Sequence, residues 1–177
     1  MFRRPLLTAV LALACALPCA GIVRAAAAPE ARLPRNPWPR TQAVRLKLDA
    51  DKRSYSGLVR AELNVTAPVD SVLLHAEGQK LVRISLLQNG DTIAVERRNG
   101  PHGLLVLHSS RPLAVGAAAL EIEFTAMYGT RAVGLYKVSK DGRGYLFTQF
   151  EADDAREAFP CWDEPNFKIP YQLTLDV

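Results

Sequence analysis

The chain has 177 residues, with 49% hydrophobic and 23% charged side chains, a balance that excludes a wholly disordered polypeptide and suits one domain. Its formal charge of +4 comes largely from Arg3, Arg4 and Arg24, in a stretch without acids. The remaining residues carry 19 basic against 18 acidic side chains, which argues against a nucleic-acid-binding surface.

The first 25 residues read as a secretory signal peptide. Arg3 and Arg4 form a short positive head, residues 6–20 are almost continuously apolar, and small residues follow at 25–28. The apolar run is short for a membrane span, and no second run reaches that length, so no stable span is expected after cleavage. Cys15 and Cys19 lack the flanking pattern of a lipoprotein signal. Removal of the leader leaves Cys161 alone, so no internal disulfide is expected. An exported protein, periplasmic or secreted, is implied.

Residues 26–40 contain Pro29, Pro34, Pro37 and Pro39, which oppose a helix and favour an extended linker. From Thr41 onward apolar and polar residues alternate. Val44, Leu46 and Leu48 share one face and Arg45, Lys47 and Asp49 the other, the period of a half-buried strand. A weaker alternation runs over residues 58–65, where Gly57 suggests a bulge. Short β-rich runs follow at 72–74, 81–87 and 92–95, the last two joined by the hairpin signal Asn89-Gly90-Asp91. Asn64-Val65-Thr66 fits a glycosylation acceptor, but its place inside a predicted strand makes it a coincidence.

Residues 104–107 and 118–127 predict further strands, the latter with Leu120, Ile122 and Phe124 against Glu121 and Glu123. Asp141-Gly142 turns into a strand over 145–150, residues 153–159 allow one or two helical turns, and 167–177 reads as a last strand with Pro170 at an edge or bulge. Many short strands and little helix predict an all-β antiparallel sandwich, with 41–177 as its domain.

Several chemistries lack their residues here. His75, His102 and His108 are the only histidines, and none forms a His-Glu-x-x-His pair of metal ligands. His75 and His108 lie among apolar residues and are expected at surface or satisfied core positions. There is no Gly-rich phosphate loop and no Gly-x-Ser-x-Gly nucleophile turn. Cys161 has no histidine in its own segment and reads as a small buried apolar residue. No catalytic residue and no metal ligand is assigned.

The information is concentrated in residues 148–168, where aromatics, prolines and acids are densest. In a strand, Gln149 and Glu151 fall on one face and Phe150 on the other. An amide and a carboxylate would then stand side by side at a strand end, and the carboxylate could hold an ammonium group. Asp153 or Asp154 could cap the following helix, and Arg156 could reach Asp163 and Glu164. On chemistry alone, an ammonium site and a stapled corner without a ligand remain equally open.

This stretch resembles the hallmark of the N-terminal domain of the M1 family of zinc aminopeptidases, the aminopeptidase N-like enzymes. That pattern runs Thr-Gln-Phe-Glu, Asp-Ala-Arg, Phe-Pro-Cys-Trp-Asp-Glu-Pro and Phe-Lys, as residues 148–168 do almost without a break. Tyr128-Gly129, Gly134-Leu135-Tyr136 and the strand over 41–49 also resemble that domain. The resemblance implies a saddle-like β-sandwich packed on a catalytic domain. It implies that Glu151 binds the α-ammonium of a peptide substrate and that Gln149 lines the pocket for the first side chain. Asp154, Arg156, Cys161, Trp162, Asp163 and Glu164 would be structural.

The Gly-Ala-Met-Glu-Asn segment and the zinc-binding motif of that family do not occur in these residues. The expectation is a truncated or fragmentary member, its sandwich incomplete at the C-terminus. It would have no cofactor and no peptidase activity of its own, the zinc belonging to the full-length enzyme. An open strand edge and an uncovered apolar face would make the isolated product marginally stable and poorly soluble. The alternatives are a stand-alone β-sandwich that binds a partner without catalysis, and a degraded product without function.

Overall fold

A computed structural model describes residues 32–177. The signal-peptide reading and the start of the linker lie outside the described residues. Eleven strands and one short helix follow in order: β1 (Trp38–Lys47), β2 (Ser54–Val65), β3 (Val69–His75), β4 (Lys80–Gln88), β5 (Asp91–Ile93), β6 (Val95–Asn99), β7 (Leu104–Leu113), β8 (Gly116–Met127), β9 (Gly134–Lys140), β10 (Arg143–Gln149), α1 (Ala155–Ala158) and β11 (Tyr171–Asp176). They form a six-stranded sheet in the order β11-β1-β2-β8-β4-β5, a three-stranded sheet β3-β7-β6 and the β9-β10 hairpin.

The alternation seen in the sequence decides which face of the large sheet is buried. Val59, Ala61, Leu63 and Val65 of β2 pair in register with residues 116–122 of β8, and Ala118, Leu120, Ile122 and Phe124 point to the same side. Two covers close that side. The three-stranded sheet packs Val72, Leu74, Leu105, Leu107 and Leu113 over one half, which makes the sandwich. Leu135 of β9, Ala158 of α1, Phe159 and Cys161 cover the other half, above Val44, Leu46, Tyr55, Val59 and Phe124. The second cover is the segment singled out by the sequence, so the candidate site is built on a roof over the core.

The opposite face of the large sheet carries cross-strand ion pairs: Arg45 with Asp176, Arg60 with Glu121 and Arg83 with Glu123. These exposed pairs contribute little stability. They neutralise the face strand by strand, which agrees with the near-neutral charge of the residues after Arg24.

The Asn89-Gly90 turn connects β4 and β5 as predicted, with φ of 55° and 85° at its two central residues. Three features differ from expectation. Gly57 marks no bulge, because it pairs in regular register with Leu46 and Phe124. A Cβ there would come within 2.5 Å of the Phe124 ring, so glycine is required by the ring lying over it. β1 starts at Trp38, inside the proline-rich stretch, and the register shifts between Pro39 and Thr41 where proline interrupts the ladder. Finally, β11 is an edge strand, as Pro170 suggested, but it pairs with β1 in parallel. The chain enters it from the corner at residues 159–167, on the same end of the sheet at which β1 begins.

Candidate anchoring site at the end of β10

β10 alternates sharply. Leu146 turns toward the second core cluster, while Tyr145, Phe147 and Gln149 stand exposed. Tyr136 stacks on Phe147 with ring centroids 5.7 Å apart. Gln149 is therefore the polar end of an exposed aromatic stripe. It is the last residue of the strand, paired with Gly134.

The strand stops there. Glu151 lies in the turn after it, exposed, with its backbone N–H donating to Gln149 Oε1 at 3.1 Å. The Glu151–Ala152 peptide is cis. A turn that sets the Glu151 backbone against the Gln149 carboxamide thus replaces the continued strand on whose one face the two side chains were expected. Phe150 between them is half-buried and meets Phe159 edge to face at 5.8 Å, which fixes the turn to the core. The Gln149 carboxamide is partly committed to that turn, and among the described residues the Glu151 carboxylate makes no hydrogen bond or ion pair. Both stand on open surface. A cleft of about 690 Å³ beside β10, lined by Lys47, Asp49, Lys52, Tyr55 and Leu146, includes neither.

Behind the turn, α1 and the following corner are tied down from every side. The Asp154 N–H donates to Phe150 O at 3.0 Å. Asp154 is the N-cap of α1, yet its side chain makes no capping bond, contrary to expectation. Asp153 does not cap either; it approaches Arg156 at 3.8 Å. The cap comes from Asp163, whose Oδ2 accepts both the backbone N–H and the Nε–H of Arg156 at 3.0 Å. Arg156 also donates to Asp163 O and to His102 O, at 2.9 and 2.8 Å. The predicted reach of Arg156 to Asp163 is thus present. Glu164 is engaged elsewhere, its Oε1 accepting the Leu33 N–H at 2.8 Å.

Cys161 and Trp162 are buried, and burial pushes the Cys161 thiol well above its ordinary range. A thiol held in that state is a packing residue and not a nucleophile. Other residues hold the corner although no local signal marked them. Tyr55 Oη donates to Ala158 O at 2.7 Å, the buried Gln42 Nε2 donates to Pro160 O at 2.9 Å, and Gln79 Nε2 donates to Arg156 O at 2.9 Å. Each bond spans most of the domain in sequence, so only the folded topology brings it together. His75 is a satisfied core histidine, bonded to the corner through backbone and ring.

Among the described residues, no group of three or more His, Cys, Asp or Glu side chains is placed to hold a metal ion. The residues described here do not fit a zinc site. No described helix is long and apolar enough to cross a membrane.

Comparison with known proteins agrees with the geometry. Residues 38–177 match the Peptidase M1 N-terminal domain, and the chain belongs to that family. It is 34% identical over 152 residues to aminopeptidase M1-C of Oryza sativa subsp. japonica, covering 84% of this chain and 17% of that protein. Aminopeptidase M1-D of the same plant is 35% identical over 152 residues, with the same coverage. Aminopeptidase N of Acetobacter pasteurianus is 29% identical over 149 residues, covering 81% of this chain and 41% of the relative. The chain thus spans about a sixth of the rice proteins it matches and less than half of the bacterial one.

Proposed function

We propose that this chain is the amino-terminal part of an exported aminopeptidase and that it supplies the group that holds the substrate's free amine. The observation that carries the reading is the exposed Glu151 carboxylate beside Gln149, on a turn fixed by Phe150 and by the buried Arg156–Asp163 pair. A carboxylate held in one place can accept charge-assisted hydrogen bonds from the α-ammonium of a peptide. Its fixed distance from a hydrolytic centre then selects the first peptide bond, because a blocked or distant amino end forfeits that bond. Gln149, continuing the Tyr145–Phe147 stripe, would form one wall of the pocket for the first side chain.

Hydrolysis would be carried out by zinc in another part of the whole enzyme. The described residues bind and orient, and they move no proton. The apolar strip of Tyr171, Leu173 and Leu175 on β11, each about half exposed, supports a role for this domain as a cover packed on further protein. The same strip supports the alternative of a non-catalytic binding domain. The test is to compare the wild-type whole enzyme with its Glu151→Ala variant on free and N-acetylated aminoacyl substrates. Loss of activity confined to the free-amine substrate supports the anchor; equal activity of variant and wild type refutes it.

A further inference from the structure

His75 ends β3 with its side chain buried, and three bonds tie it to the corner. Its backbone N–H donates to Cys161 O at 2.8 Å, and the Cys161 N–H donates back to His75 O at 2.9 Å. The third bond uses the ring: the Asp163 N–H donates to His75 Nδ1 at 3.3 Å. A ring nitrogen that accepts carries no proton, so the bond requires the neutral tautomer protonated at Nε2. Asp163 is the residue that caps α1 and pairs with Arg156. One neutral imidazole therefore holds the backbone of the residue on which the corner depends.

We propose that His75 is an acid-responsive latch, whose protonation turns Nδ1 from acceptor to donor and breaks the ring's bond to the Asp163 amide, leaving only the two backbone bonds to Cys161 to hold the corner on β3. The charged groups facing the ring are Arg156 from α1, Asp163 and Glu164 from the corner, and Asp153 from the turn before α1. Arg156 opposes a second positive charge, and the three carboxylates favour it. Burial and then Arg156 outweigh the carboxylates, so the folded ring binds protons less readily than a free histidine. The sign follows from linkage. The latch is fully closed above the unfolded value of about 6.5, and its stabilisation is lost as pH falls from there through the lower folded value. The latch itself does not rest on the aminopeptidase reading.

The experiment uses the full chain and a His75→Asn variant, whose amide oxygen stands about where Nδ1 does and accepts without titrating. Urea midpoints and the exchange rate of the Asp163 amide, corrected for intrinsic exchange, are measured at about pH 7.5 and about pH 5. The wild type should lose more of its midpoint than the variant, and its Asp163 amide should exchange several-fold faster in acid while that of the variant does not. Identical pH profiles would overturn the proposal. Should the variant not fold, wild-type His75 decides by NMR: a ring that titrates below the free-histidine value of about 6.5, with faster Asp163 amide exchange through the same pH range, supports the latch, and a titration at or above that value, or exchange that does not follow it, refutes it.

Discussion

Asp163 caps a helix to which it does not belong. Its Oδ2 lies 3.0 Å from both the backbone nitrogen and the Nε of Arg156, closing the first turn of α1 from across the Phe159–Cys161 corner. Both side chains are almost fully buried, at 9% and 12% exposure. Removing the Asp163 carboxylate leaves the buried Arg156 charge with backbone carbonyls and only the longer contact to the exposed Asp153. Asp163→Ala should therefore cost about 3–5 kcal/mol in equilibrium urea unfolding. Asp154→Ala, at the formal N-cap, should change stability by less than about 0.5 kcal/mol, because its side chain makes no capping bond.

Gly57 should tolerate no side chain. A Cβ would stand 2.5 Å from the Phe124 ring and 2.9 Å from Leu46, both in the core. Gly57→Ala should lower stability by about 1–3 kcal/mol through overpacking. Pairing Gly57→Ala with Phe124→Leu should recover part of the loss in a double-mutant cycle, since the two positions face each other across β2 and β8.

The Cys161 thiol should be inert in the folded chain. Burial raises its proton affinity well above the ordinary range, so almost no thiolate forms at mildly alkaline pH. Labelling by a disulfide reagent should be slow in buffer and fast in urea, with a rate in buffer that tracks global unfolding.

The inner face of β11 should behave as an adhesive edge. Tyr171, Leu173 and Leu175 continue the buried row of Val44 and Leu46 in parallel register with β1, about half exposed although Tyr171 stacks on Phe159 of the cover. Leu173→Lys should reduce binding of a hydrophobic dye and raise solubility, with a stability change of less than about 0.5 kcal/mol. An unchanged dye signal would place the exposed apolar surface elsewhere.

Much of this architecture could be read from local patterns. The alternation of Leu120, Ile122 and Phe124 against Glu121 and Glu123 states both a strand and its buried face. Asn89-Gly90 states a hairpin because few other residue pairs adopt two successive positive φ values. The two-residue spacing of Gln149 and Glu151 suggested a shared strand face, but β10 ends at Gln149 and Glu151 lies in the turn beyond it. What stayed hidden depends on partners far apart in the chain. Asp163 as cap, Gln42 on Pro160 and Tyr55 on Ala158 are meetings that no window of sequence displays. Gly57 misled for the same reason: a glycine under an aromatic ring and a glycine at a bulge look alike until the facing strand is known.

The claim that Glu151 anchors a substrate amine is tested most directly by kcat/KM of the whole enzyme for one free-amine substrate, in the wild type and in Glu151→Ala. A charge-assisted hydrogen bond of about 1.5–3 kcal/mol predicts a loss of roughly 10- to 150-fold. A variant that matches the wild type on that substrate would contradict it.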